Sequence, residues 1–154
     1  MTDIIEARVE HRFESATAEQ VFDAWLDQGD VRAWMAAALR AHGLEGDIRR
    51  VEIDPRVGGR FFFSDVRDGA EAEHWGTYQA LERPKLIEFT WFTSEDEEQN
   101  STSLVRIEIT PEPQGCSVVL THKLDATFAE YREPTETGWR TMLTAVDQTS
   151  VSSR

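Results

Sequence analysis

Chemistry in this chain, if there is any, falls to four histidines, one cysteine and a set of large aromatics. His11 and His122 each sit on the apolar side of an alternating segment. Ile5, Ala7, Val9 and Phe13 flank the first; Val118, Leu120 and Leu124 flank the second. An imidazole among apolar neighbours donates from one nitrogen, accepts at the other and titrates near neutral pH. It can orient a polar ligand group or act as a general acid or base, so His122 and His11 are the catalytic candidates. The alternative is a core histidine satisfied by a backbone carbonyl or by hydroxyls. His42 and His74 are expected at the surface.

The aromatics are 5 Trp, 2 Tyr and 8 Phe. Phe61 and Phe63 share one strand face, and Phe89 and Trp91 share another. Trp34, Trp75 and Trp139 come from separate elements, with Met142 beside the last. Together with His122, these residues form the candidate ligand-binding set, because small-molecule pockets are mostly apolar with few oriented polar groups. Ordinary core packing explains the same residues. Phe62 and Phe92 fall on the opposite faces, and an outward aromatic cluster there would suit a homodimer surface.

Other chemistries lack their residues. No His-x-x-x-His and no cysteine cluster offers a metal site, and no cofactor motif is present. Gly-x-Ser-x-Gly is missing, and Cys116 follows a turn glycine with no base in view. Gly58-Gly59 leads into a strand and has no Gly-Lys-Ser/Thr after it, so it is a tight turn or bulge and not a phosphate loop. Arg56 and Arg60 flank that turn. Arg60 alternates with Phe61 and is expected outward, with a ligand carboxylate at the pocket mouth as the functional alternative. Glu95 to Glu98 read as a solvated loop. No catalytic constellation is recognisable, and the reading leans away from an enzyme.

The elements that position these residues follow from changes in apolar period. Residues 5–13 alternate as a half-buried strand. Thr17 and Gln20 have capping-box spacing before a helix carrying Val21, Phe22, Trp25 and Leu26. Gly29 is expected to stop it, and Asp30 to cap a second helix with Val31, Trp34, Met35 and Leu39. Six strands follow, with Asp68-Gly69 as the strongest hairpin signal. Pro134 is expected just before a last helix with Trp139, Leu143 and Val146 on one stripe. Residues 125–133 read as connection, and 150–154 as a frayed tail. No repeat or linker divides residues 1–154, so a single domain is expected. An antiparallel meander must cover one face, and a sheet curved around the last helix does so.

Length and charge narrow the partners. The chain has 154 residues and a net charge of −13, with 40% hydrophobic residues. That is ample for a core. A strongly acidic chain is a poor binder of nucleic acid and of anionic membrane surfaces. No basic-plus-apolar leader and no membrane-length apolar run is present, so a cytoplasmic location is expected. The sequon Asn100-Ser101-Thr102 is then chemically idle.

Particular residues in this order resemble the START-like (SRPBCC) superfamily with its helix-grip fold. They are Val21-Phe22-Asp23-Ala24-Trp25 with Trp34, Asp54-Pro55-Arg56-Val57-Gly58-Gly59-Arg60-Phe61, and Gly76-Thr77-Tyr78 before Leu81-Glu82-Arg83-Pro84. Ile87-Glu88-Phe89-Thr90-Trp91, Leu120-Thr121-His122 and Gly138-Trp139 complete the set. Within the superfamily the chain is most similar to the homologues of the activator of the heat-shock-protein ATPase. The resemblance implies an α+β fold: a curved, antiparallel seven-stranded sheet around a C-terminal helix, with two short helices between strands 1 and 2. It implies a cavity between sheet and helix for an apolar or amphipathic small molecule. His122 matches a position where the family often has histidine. The chain ends soon after Val146, so the last helix is expected to be short and the cavity open at one end. A cyclase, dehydratase or hydrolase using a cavity histidine is the alternative, followed by a dimeric or chaperone-interacting module. The eukaryotic co-chaperones of this name carry a further N-terminal domain with no counterpart here, which weakens the chaperone expectation.

Overall fold

Strict alternation over the first segment becomes β1 (Ile4–Phe13), with Ala7, Val9 and Phe13 buried and Glu6, Arg8, Glu10 and Arg12 exposed. The computed structural model describes residues 3–100 and 102–152. After β1 come α1 (Ala18–Ala24) and α2 (Gln28–Ala41). The meander is β2 (Asp47–Ile53), β3 (Arg60–Arg67), β4 (Ala70–Glu82), β5 (Leu86–Thr90), β6 (Ser103–Pro111) and β7 (Cys116–Asp125). A short helix, α3 (Glu95–Asn100), lies between β5 and β6. A 3-10 segment over Ala126–Tyr131 leads into α4 (Arg132–Ser152).

The seven strands form one antiparallel sheet in the order β1-β7-β6-β5-β4-β3-β2. The first and last strands pair, which makes them neighbours in the sheet. α4 covers the inner face, burying Trp139, Leu143 and Val146 at the expected helical spacing and packing against β1 and α2. Among the described residues no helix is long and apolar enough to cross a membrane.

Local chemistry moved several boundaries. The Thr17–Gln20 capping box forms reciprocally, but Asp27 caps α2, its carboxylate accepting the Asp30 N–H at 2.8 Å. The chain leaves α1 at Trp25, so Gly29 lies inside the second helix and Asp30 becomes a first-turn residue. The acidic run is a helix and not a loop. Four carboxylates sit in its first turn, where the helix dipole favours negative charge, and the Ser94 hydroxyl accepts the Glu97 N–H. The last helix is long, 21 residues, and not short. It starts two residues before Pro134, which lies in the first turn where its missing N–H has no partner to lose. Thus Arg132 and Glu133 belong to the helix and not to the connection, and 126–131 form a helical turn. The helix continues to Ser152, through part of the tail expected to fray. Met1, Thr2, Ser101 of the sequon, and residues 153–154 lie outside the described residues.

One turn sets the inward face of the central hairpin. Asp68 and Gly69 both have positive φ, 51° and 83°, which matches the twist of a two-residue hairpin. It pairs Arg67 with Ala70, and therefore Phe63 with His74, Phe62 with Trp75 and Phe61 with Gly76. Phe61, Phe63, Tyr78, Phe89 and Trp91 pack together with ring centroids 5.0 to 6.4 Å apart. Trp25 and Trp34 extend this cluster at 4.8 Å, and the Trp34 indole N–H donates to the Ala24 carbonyl.

Candidate functional site

Between α2, the β3–β4 hairpin and the start of α4 lies a cavity of about 680 Å³. Trp34, Met35, Ala38 and Leu39 of α2 form one wall, and Phe63 and Trp91 form the sheet side. Pro134, Gly138 and Met142 of α4 line its third side. A second cavity of about 490 Å³ shares Arg67, His74, Trp91, Gly138 and Met142 with the first and reaches Ser103, His122 and Trp139.

The alternation of β3 runs on past Phe63, so Asp65 and Arg67 share its face and line the first cavity. The Asp65 side chain is wholly buried. Arg67 clamps it through two nitrogens, Nε at 2.7 Å and Nη2 at 3.3 Å, which compensates the buried charge. His74 lies flat against Trp91, ring centroids 5.0 Å apart and planes 28° apart. Its Nδ1 is buried without a hydrogen-bond partner. Burial and then the Arg67 guanidinium push its pKa down to about 4, with Asp65 pulling the other way, so the ring is neutral at pH 7.

His122 is differently placed. Its Nδ1 accepts from the Trp139 indole N–H at 3.0 Å. An indole only donates, so Nε2 carries the proton and donates to the Ser103 hydroxyl oxygen at 2.7 Å. Burial holds its pKa down to about 4. Both nitrogens are engaged, and the lone pair a base would use is occupied by α4. The imidazole ties β6, β7 and α4 together. His11 bonds Asp147 of α4 through Nε2 at 2.8 Å. His122 pairs in register with Ala7, four residues from His11, roughly 13 Å along the strand. The two histidines therefore do not meet in a cavity.

Of the expected ligand-binding set, Trp34, Phe63, Trp91 and Met142 line the first cavity, and His122, Trp91, Trp139 and Met142 the second. Phe61 and Phe89 instead fill the deep core, where the void is only about 10 Å³. Trp75 is on the outer face: its register partner is Phe62, and its indole N–H donates to Glu98. His74, expected at the surface, takes the inward position. The two-residue turn decides both placements. The outer aromatics are partly covered. Phe62 and Trp75 are half-buried, with the Arg50 guanidinium 4.3 Å from the Phe62 ring, while Phe92, whose backbone bridges to Trp75, is buried. Arg60 is exposed on that outer side, as expected, and Arg56 pairs with Asp54. Sequence reading missed Asp65, Arg67, His74, Met35 and Leu39. The continuing alternation of β3 and the hairpin turn are the signals that find the first three. Among the described residues no three His, Cys, Asp or Glu side chains converge as metal ligands do.

This arrangement, a long last helix gripped by a seven-stranded sheet, has matches among known proteins. Residues 15–150 match the family described as "Activator of Hsp90 ATPase homolog 1-like protein". The chain belongs to that family. A family member from Aeromonas hydrophila, described as AHSA1-like, is 25% identical with a TM-score of 0.73, covering 97% of this chain and 93% of its own. A protein of unknown function from Staphylococcus aureus is 16% identical with a TM-score of 0.80, covering 99% and 96%. A Rhodobacter sphaeroides protein is 18% identical with a TM-score of 0.74, covering 97% and 99%. No curated protein matches in sequence.

Proposed function

We propose that this member of the Activator of Hsp90 ATPase homolog 1-like family binds an apolar or amphipathic small molecule between α2, the β3–β4 hairpin and α4. The observation that carries this reading is the cavity of about 680 Å³ beside a deep core that is otherwise filled. Its walls are chiefly aromatic and aliphatic, with one polar cluster, the usual make-up of a small-molecule site. Full engagement of both His122 nitrogens favours binding over acid–base catalysis at that residue.

The test is thermal unfolding against a panel of apolar ring and chain compounds, with native mass spectrometry to count bound molecules. A ligand at about 100 times its Kd adds roughly 2.7 kcal/mol, which raises Tm by about 5–10 °C in a chain of this size. Ala38→Trp, which pushes a large side chain into the cavity, should fold and lose that rise. A panel that leaves the wild-type Tm unmoved, or an equal rise in the filled variant, overturns the reading.

A further inference from the structure

Given that the first cavity is a binding site, the divide between the two cavities bears on the shape of what it binds. They share Arg67, His74 and Trp91 on the sheet side and Gly138 and Met142 on the helix side. On α4, Pro134 lines only the first cavity, and Thr135 and Trp139 line only the second. Gly138 and Met142, one turn apart, therefore stand on the ridge between the two. Glycine is the poorest helix former after proline, yet Gly138 lies inside a 21-residue helix. Neither backbone nor packing asks for it. Its φ is not positive, and a Cβ there would meet no side chain and no neighbouring element within 4 Å. The missing side chain leaves a gap at the divide, beside Met142, which is unbranched and adaptable.

We infer that the two cavities form one site, that its ligand is an unbranched chain running from one to the other past Gly138, and that Gly138 sets how long a chain is accepted. A gap of one side chain's width passes a methylene chain and stops a fused ring, which stays in the first cavity. The walls at both ends suit such a chain. Met35, Ala38 and Leu39 are aliphatic at the first end, and Leu124 and Phe128 are apolar at the second. Trp91 bounds the crossing on the sheet side. It stacks on His74 at 5.0 Å and meets Trp139 in a T-shaped contact at 5.2 Å, so this boundary is aromatic and held in place by both neighbours. Hydrophobic stabilisation follows the apolar area removed from water, so a methylene that crosses the divide adds affinity only if the divide is open. A side chain grown at position 138 takes that space and leaves the outer end of each cavity as it is.

Tryptophan-fluorescence titration with straight-chain primary alcohols from hexanol to decanol, and with naphthalene, tests this in wild type, Gly138→Ala and Gly138→Leu. Both substitutions improve helix propensity, and the Tm of the free proteins checks that they fold. Wild-type affinity should climb about fourfold per added methylene through decanol. In Gly138→Leu, hexanol and naphthalene should bind within about twofold of wild type while the climb stops short, leaving decanol at least about tenfold weaker. Gly138→Ala should fall between the two. Independently of any variant, NMR contacts from ¹³C-labelled decanol in wild-type protein should connect one end of the chain to Leu39 and the other to Leu124, with one decanol per protein. No climb beyond hexanol in wild type, an equal climb in Gly138→Leu, two decanols per protein, or both chain ends beside the same cavity's residues overturns the inference. Naphthalene binding then leaves the cavity reading standing, whereas binding of neither the alcohols nor naphthalene removes both.

Discussion

His74 and His122 are both buried and both neutral near pH 7, but their surroundings give them opposite characters. His122 has every hydrogen bond met, by Trp139 and Ser103. His74 has one unmet, beside an ion pair. Each is held at about 4 against an ordinary 6.5. The unfolded chain therefore takes up a proton below about pH 6.5, and the folded chain does so only near pH 4. Stability contributed by each group is complete above pH 6.5 and declines as the pH falls from 6.5 to 4. At pH 5.5 each accounts for a loss of about 1.4 kcal/mol relative to pH 7.5. Urea unfolding at those two pH values should show His74→Phe losing about 1.4 kcal/mol less than wild type. Parallel losses in the two proteins would mean that His74 is not held neutral. The side of the sheet that His74 takes is fixed by turn parity and not by its own polarity. Polar and followed by Trp75, it looks like the exposed member of the pair until the turn parity is counted.

Elements explain why the site has the shape it has. The β3–β4 hairpin presents an apolar half, Phe61 and Phe63, and a polar half, Asp65 and Arg67, on one face. The apolar half packs against Tyr78, Phe89 and Trp91, and the open volume runs from Phe63 over the polar half. Gly76 is central to this. A methyl group there would overlap the Thr90 carbonyl of β5 and come within 2.8 Å of the Phe61 ring. The close approach lets β4 bend against β5, where the register shifts between Tyr78 and Ala80. Gly76→Ala should cost roughly 3 kcal/mol or more in urea unfolding, because backbone must move. Gly43→Ala is a poor control because φ is +82° there, whereas Gly138→Ala meets open space and should be close to neutral or slightly stabilising. A small effect at Gly76 would show that the β4–β5 contact is looser than this packing requires.

For the molecule as a whole, charge is the dominant surface property. A net charge of −13 repels itself in the folded state. Surface pairs such as Arg8–Glu10, Arg50–Glu52 and Asp23–Arg83 are largely exposed and contribute little each. Raising ionic strength from about 10 mM to about 300 mM should therefore raise Tm by a few degrees, since screening relieves repulsion over distances beyond the shortened Debye length. A falling Tm would show that ion pairs outweigh the repulsion.

Apart from α3 and the helical turn before α4, element types and their order were legible in the chain. Alternation in β1, β6 and β7, the Thr17–Gln20 cap and the stripe of Trp139, Leu143 and Val146 are local patterns, and local patterns follow from backbone geometry alone. With the punctuation around Gly58-Gly59, Asp68-Gly69 and Arg83-Pro84, they carried the helix-grip resemblance. The inward face of β4 was also determined there, since a two-residue turn pairs Phe63 with His74. Tertiary structure alone decided which inward aromatics pack and which border space. Phe61 and Phe63 are two residues apart on one face, yet one is packed into the deep core and the other borders the cavity. The difference is set by the summed packing of side chains from elements remote in sequence, which no spacing along one strand encodes.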